Sequence, residues 1–480
     1  MLFKGAYIRG KFVFSGSHEQ DFEKKDPGNL DNLIGRWSST LSQVDAAVMS
    51  AHQAATKWAS LKIEKRCAFI LRLVPLFKKY RKTLSEMISS ETGKTLNESQ
   101  TEVDAAIGKI SITLNRGLKL VRAVGNPAKE YTFFRSRGVL AILGPFNFPF
   151  HLANGHWVPA LATGNTVVFK PSELTPFTGQ LVTEIMHQAG FPAGVFNTVQ
   201  GGGEVGSALV SHGQVDGVLF TGSDFTGRKI LETTQKDPKK ICVLEMGGKN
   251  ALIVWKDAPL ESTLAAALQS GYLFAGQRCN ALSRLFLHRS IADKFIDRFV
   301  LAVKDFRVGY FRDPKTQMGP LVSETALIKF QTYQQMAERE PGIRTLLASA
   351  PLNPGYRGYY VSPAIHLIGD WRKEEEQKGY RYDEIFGPDV AITIFDDFEE
   401  AVDLHNDCRY GLVASVFTKS RPLFNKFCQR LEVGNIYLNR MTIGAPATLP
   451  FGGIKGSGNH FPAGLFSPYY CTYPVAVQKY

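Results

Sequence analysis

From residue 138 onward the chain alternates short, continuously apolar runs with stretches of helical length, and this pattern constrains the fold more than any other feature. VLAIL, TVVFK, VFNTV, VDGVLFTG, ICVLEMG and ALIVW come first, and SRLFLH, VAITIF, VASVF and NIYLN follow after residue 281. A strand with one wet face alternates apolar and polar residues, whereas a run that is apolar throughout is buried on both faces. Helices between such runs allow the strands to lie parallel. The expected class is therefore α/β. Two α/β units in series suit a chain of 480 residues better than one core does.

The first 130 or so residues read as mostly helical. In TLSQVDAAVMSAHQAATKW, the residues Leu41, Val44, Val48, Ala51, Ala55 and Trp58 fall three or four apart, on one helix face. Ser42 and Asp45 have the spacing of a capping box at its start. RCAFILRLVPLFKKYRKTLSEMI reads as a second helical stretch. Residues 119–137 and the tail after 460 fit neither pattern and are expected to be exposed strands that pair with another subunit.

Several classes are excluded. No apolar run approaches the roughly 18 residues a membrane span needs. MLFKGAYIRGKFVF has no continuous apolar core of a signal peptide, so the chain is expected in the cytoplasm, away from membranes. The net charge of +12 comes from Lys and Arg scattered among acids, without the basic stripe of a nucleic-acid binder. The six cysteines form no CxxC pair and there is no HExxH, so no metal site is expected. GGGEVG at 201–206 matches a dinucleotide fingerprint only formally.

Cys279 stands apart from the other cysteines. Cys67, Cys242, Cys428 and Cys471 lie in apolar contexts and read as buried, and Cys408 reads as a loop residue. Cys279 follows a glycine-containing polar turn, GQRC, and a neighbouring cation such as Arg278 favours the thiolate. A nucleophile needs partners. Glu245 closes a strand before Gly247 and Gly248, where α/β sheets bind ligands, and can act as a base on water. Asn147, between two Phe and two Pro residues, can donate to a developing oxyanion. Glu173 follows the Lys170 strand end, where an acid can take ribose hydroxyls. Gly222 and Ser223 sit between a strand and a helix, where amides meet phosphate.

In order, the chain carries GPFNFP, FKPSE, FTGS, LEMGGK, GQRC, EIFGP and PFGGIKGSG. This series resembles that of the NAD(P)-dependent aldehyde dehydrogenase superfamily, over essentially the whole chain. The resemblance implies a Rossmann-like cofactor domain, an α/β catalytic domain and a small β oligomerisation element. The corresponding boundaries are 1–118 with 138–247 for NAD binding, 248–459 for catalysis, and 119–137 with 460–480 for assembly into a homodimer or larger oligomer. It implies Cys279 as nucleophile, Glu245 as base and Asn147 as oxyanion donor. Lys170 and Glu173 would hold the adenosine ribose, and Gly222 and Ser223 would lie by the pyrophosphate. Phe220, Thr221, Asp224, Phe225 and Gly247 would complete the cofactor surface. Glu384 would hold the nicotinamide ribose, with Phe386 against it. Glu173 would repel a 2′-phosphate, which favours NAD over NADP.

HLANGH and GNH are the most particular features, and they resemble a branch of the family whose small aldehyde substrate carries two carboxylates. Arg278, Arg440 and His460 are the candidates to pair with these. Lys249 and the NHFPAG segment depart from that branch. Other readings are a dehydrogenase for a different small aldehyde, a cysteine hydrolase that works without NAD, and a binding protein indifferent to loss of Cys279.

Overall fold

The structure, a computed structural model, describes residues 1–14, 21–369 and 377–479. Two seven-stranded sheets carry the fold. In the first, the strands lie in the order Ile241–Glu245, Gly217–Thr221, Val139–Leu143, Thr166–Lys170, Phe196–Thr198, Ala6–Ile8 and Lys11–Val13. The first five run parallel, and the N-terminal pair adds an antiparallel edge. The chain enters at the middle strand, Val139–Leu143, steps outward twice, then returns to the other side. That reversal opens a crevice beyond the carboxyl ends of Val139–Leu143 and Gly217–Thr221.

The second sheet runs Ile343–Leu347, Ala364–Ile368, Asp389–Phe395, Leu282–His288, Asn250–Val254, Val413–Phe417 and Asn435–Leu438, parallel except for its first edge strand. Every run singled out in the sequence after residue 138 forms a strand, because a fully apolar run between helices has no other way to bury both faces. Four residues, 246 to 249, join the last strand of the first sheet to Asn250. The carboxyl edge of one sheet thus meets the amino edge of the other.

The N-terminal expectation needs correction. Before the first α-helix, Val44–Ala59, the chain forms four strands, including a hairpin of Asp21–Asp26 with Asn29–Ser38. DPGN at 26–29 is a turn signal that a search for helical spacing passes over. The Ser42–Asp45 box does not form. Leu41–Gln43 is a 3₁₀ turn, and Gln43, at the N-cap of the helix, makes no side-chain capping bond. A reciprocal box does form at Thr95 and Glu98, which start helix Leu96–Asn115. The second helical stretch divides into Ile63–Leu71, Leu73–Lys79 and Arg81–Thr92. Pro75 has no N–H to continue a helix from the preceding turn.

The two presumed edge segments find each other. Thr472–Gln478 pairs with Glu130–Ser136 over seven residues, and Glu130–Ser136 pairs with Val124–Asn126. Within the chain they are strand partners of each other, and Val124–Asn126 and Thr472–Gln478 remain the edges of that sheet. The last residue, 480, lies outside the described residues. Among the described residues no helix is long and apolar enough to cross a membrane.

Candidate active site

Glu245 ends the edge strand of the first sheet, with Thr221 as its cross-strand neighbour and Gly458 bridged to its other side. Its side chain is 2% exposed, and neither carboxyl oxygen has a hydrogen-bond partner among the described residues. Burial therefore pushes its pKa well above the ordinary carboxylate value.

Cys279 is reached through an abrupt turn. After helix Leu260–Tyr272, three successive residues, Phe274, Ala275 and Gly276, take left-handed φ values of 54°, 50° and 66°. A Cβ on Gly276 would lie 2.2 Å from the Gly387 carbonyl oxygen, so glycine is required twice over, by conformation and by space. Asn250, the first residue of the second sheet, donates through Nδ2 to the Cys279 and Ala281 carbonyls, each at 2.8 Å. Cys279 is half-buried as a residue and packs against a small cluster formed by Leu412, Val413 and Phe451. Burial raises its pKa most, the charges of Glu245 and Glu384 raise it further, and the N–H groups of Asn280 and Cys279 pull it down. The charge of Glu245 acts on the thiol, so the two groups lie within electrostatic reach of each other.

This corrects the expectation for Arg278. Its guanidinium donates to Glu98 at 2.6 Å, and the leading charges on the thiol are those of Glu245 and Glu384. The neighbouring cation is neutralised by an acid from helix Leu96–Asn115. The other cysteines are corrected in part. Cys428 is exposed on helix Arg421–Arg430, and Cys67 and Cys242 are half-buried, while Cys408 lies between elements as expected and is buried there.

Asn147 lies on the loop after Val139–Leu143, 4% exposed. Its Oδ1 accepts from the Phe148 N–H at 3.0 Å, and its Nδ2 donates to the Gln277 carbonyl at 3.1 Å, two residues before Cys279. The amide has two hydrogens, so one remains for an oxygen at the thiol.

The residues expected to hold NAD fit such a ligand. Helix Asp224–Thr234 begins at the crevice of the first sheet, with Ser223 as its N-cap, accepting from the Thr226 N–H at 3.3 Å. Its first amides and dipole suit a phosphate. Asp224 pairs with Arg228 at 2.9 Å, and Phe225 is exposed beneath Lys229. A Cβ on Gly222 would strike the Phe220 ring at 2.4 Å. Lys170 is buried, with its ammonium on the Pro171 carbonyl at 3.0 Å and Glu173 at 3.4 Å. Glu173 is half exposed and borders a cavity of about 510 Å³ shared with Gly202 and Glu204. Glu384 accepts from the Gly248 N–H at 2.9 Å, and burial raises its pKa. Its other oxygen would lie 2.1 Å from a Cβ on Gly247. Phe386, at φ 59°, meets Phe146 edge-on.

The three substrate candidates separate. Arg278 is paired with Glu98. His460 is exposed, and the charge that acts on it is Arg137. Arg440 is exposed and makes no ion pair among the described residues, and its charge acts on Tyr437, which also senses Cys279. The Tyr437 hydroxyl is buried without a partner. Tyr437, Asn250, Lys94 and Glu102 were not found from the sequence. Glu98 was within reach, since T-x-x-E is a capping signature. Among the described residues no cluster of His, Cys, Asp and Glu could hold a metal ion.

Comparison with known proteins agrees with this geometry. The profile of the aldehyde dehydrogenase family matches residues 13–472. N-succinylglutamate 5-semialdehyde dehydrogenase of Erwinia tasmaniensis is 38% identical over 456 residues, covering 94% of this chain and 91% of the relative. A crystal structure of a betaine aldehyde dehydrogenase variant from Staphylococcus aureus in complex with NAD+ is similar with a TM-score of 0.91 at 29% identity, covering 99% of this chain and 97% of that one. A 1-pyrroline-5-carboxylate dehydrogenase from Thermus with bound NAD is similar with a TM-score of 0.91 at 29% identity, covering 99% and 93%.

Proposed function

The chain belongs to the aldehyde dehydrogenase family, and from that premise we propose that it oxidises N-succinylglutamate 5-semialdehyde to N-succinylglutamate with NAD, a step of arginine breakdown by the succinyltransferase route. The observation that carries the chemistry is a partly exposed cysteine on whose thiol a buried carboxylate acts by its charge, that carboxylate closing a strand and having no hydrogen-bond partner among the described residues. The substrate rests on the relative at 38% identity and on Arg440, the unpaired cation on the thiol side of the site.

Cys279 loses its proton and attacks the aldehyde carbon, forming a C–S bond while the carbonyl oxygen becomes an oxyanion. The free Asn147 amide hydrogen and the Cys279 N–H stabilise that oxyanion. Bound NAD supplies the hydride acceptor, and loss of hydride leaves a thioester on Cys279. Glu245 then takes a proton from water, the hydroxide attacks the thioester, and the C–S bond breaks to release the acid and the thiol. A carboxylate with a raised pKa is a stronger base than an ordinary one, and its lack of partners leaves both oxygens for water. The hydrolase alternative needs a histidine base, whereas the group acting most strongly by charge on Cys279 is the carboxylate of Glu245.

In the same proposal Lys170, Glu173, Phe220, Thr221, Gly222, Ser223, Asp224, Phe225, Gly247, Glu384 and Phe386 form the NAD surface. Residues 1–118 with 138–247 bind cofactor, 248–459 carry the chemistry, and 119–137 with 460–480 serve assembly. The test is NADH formation at 340 nm, a general property of the reduced cofactor, with N-succinylglutamate 5-semialdehyde beside succinic semialdehyde. A higher kcat/KM for the first is expected. Preference for the second would replace the substrate while keeping the reaction, and no NADH from any aldehyde would overturn the reading.

A further inference from the structure

Lys94 has no place in the chemistry above, yet it is fully buried, which is rare for an ammonium. It donates to Glu102 Oε2 at 2.7 Å and to the Asn147 backbone carbonyl at 2.5 Å. Its Nζ also lies 4.1 Å from the Phe148 ring centre and 4.5 Å from that of Phe274. Phe148 follows the oxyanion donor, and Phe274 opens the left-handed turn that delivers Cys279. One cation therefore touches both loops whose relative placement sets the oxyanion site.

The consequences follow along the chain of bonds. Glu102 is itself fixed, because its Oε1 accepts from the Phe150 and His151 N–H groups at 3.0 and 3.1 Å. Lys94 anchors the Asn147 carbonyl to this acid, which fixes the peptide plane between Asn147 and Phe148. The N–H of that peptide holds Asn147 Oδ1, so the plane decides which way the carboxamide faces. Its NH₂ group is thereby turned to the Gln277 carbonyl, two residues before Cys279. One helical turn earlier, Glu98 holds Arg278, so helix Leu96–Asn115 grips both loops from one face.

We infer that Lys94 is a positioning residue: it orients the Asn147 amide, and through it the oxyanion site, rather than merely balancing Glu102. The inference rests on the dehydrogenase reading. If it acts through Asn147, its removal lowers kcat with little change in KM for NAD, because the cofactor residues lie on other strand ends. Misplacing a catalytic group by about 1 Å costs on the order of 100-fold in rate, so a fall of roughly 10- to 100-fold is expected.

The experiment compares Lys94→Met, Lys94→Arg and the charge-neutral pair Lys94→Met/Glu102→Gln, each with and without Asn147→Ala. Steady-state kinetics, thermal midpoints and the rate of Cys279 alkylation by iodoacetamide are measured. The pair keeps an acceptor for the Phe150 and His151 N–H groups, so it carries the test if the single Met variant does not fold. The expected result is a lowered kcat for the Met variants, partial recovery with Arg, and near-unchanged alkylation. In the Asn147→Ala background the Lys94 substitutions should have no further effect. Full additivity of the two sites, or a kcat that falls only in step with the thermal midpoint, would overturn the inference. A wild-type enzyme that forms no NADH from any aldehyde would instead overturn the dehydrogenase reading.

Discussion

At the level of single residues, the site couples two acids that burial makes weak. The Glu245 carboxyl and the Cys279 thiol both deprotonate at a higher pH than usual, for the same reason. In the proposed mechanism both must be deprotonated, so kcat/KM should climb with pH into the alkaline range, as a pH–rate profile will show. Glu245→Gln should remove hydrolysis while leaving acylation, so that one equivalent of NADH forms per site and turnover then stalls. The same change removes a negative charge that raises the thiol pKa, so Cys279 should alkylate faster at pH 8. It should also raise the melting temperature at pH 8. A carboxyl whose folded pKa is raised binds more protons folded than unfolded, so stability falls as pH rises from the ordinary carboxylate value toward the raised one. Substrate preference should separate the arginines. Arg440→Leu should raise KM for the dianionic aldehyde about tenfold, with little effect on an uncharged one. Arg278→Leu should depress both equally and lower thermal stability, because it leaves Glu98 buried without its cation.

At the level of elements, the turn before Cys279 and the linker after Glu245 are the fragile parts. A side chain on Gly276 must accept a left-handed φ and a collision with the Gly387 carbonyl. Gly276→Ala should therefore cost more than about 1 kcal/mol in denaturant unfolding and slow alkylation of Cys279 at the same time. Gly247→Ala should behave differently. Its Cβ meets a carboxylate oxygen of Glu384 at 2.1 Å, and a side chain can move where a backbone cannot. The expected result is a raised KM for NAD with a thermal midpoint near wild type. Element type was legible wherever periodicity was strong, as in the ten apolar strands. The N-terminal strands were not, because the hairpin strands are partly exposed and lack a continuous apolar run, and their turn chemistry at DPGN outweighs local helical spacing.

At the level of the whole molecule, the three-stranded sheet has two edge strands, Val124–Asn126 and Thr472–Gln478, and leaves Val124, Tyr473 and the neighbouring Tyr469 exposed. Such a surface argues for assembly. Sedimentation should give a multiple of the 53.2 kDa chain mass, and lysines at Val124 and Tyr473 should shift it toward the single chain.

The sequence alone determined the class and the strands, because a run apolar on both faces has one stable environment. It also singled out Cys279, Glu245 and Asn147, because a nucleophile, a base and an oxyanion donor need those groups at strand ends and turns. Only the tertiary structure decided how charges pair across distance. Arg278 is adjacent to Cys279 in the chain yet bound to Glu98. Lys94 is remote from Asn147 in the chain yet fixes its carbonyl. Local sequence encodes conformation through neighbouring atoms, but ion pairing in a buried site depends on which elements the fold brings together, and no spacing along the chain records that.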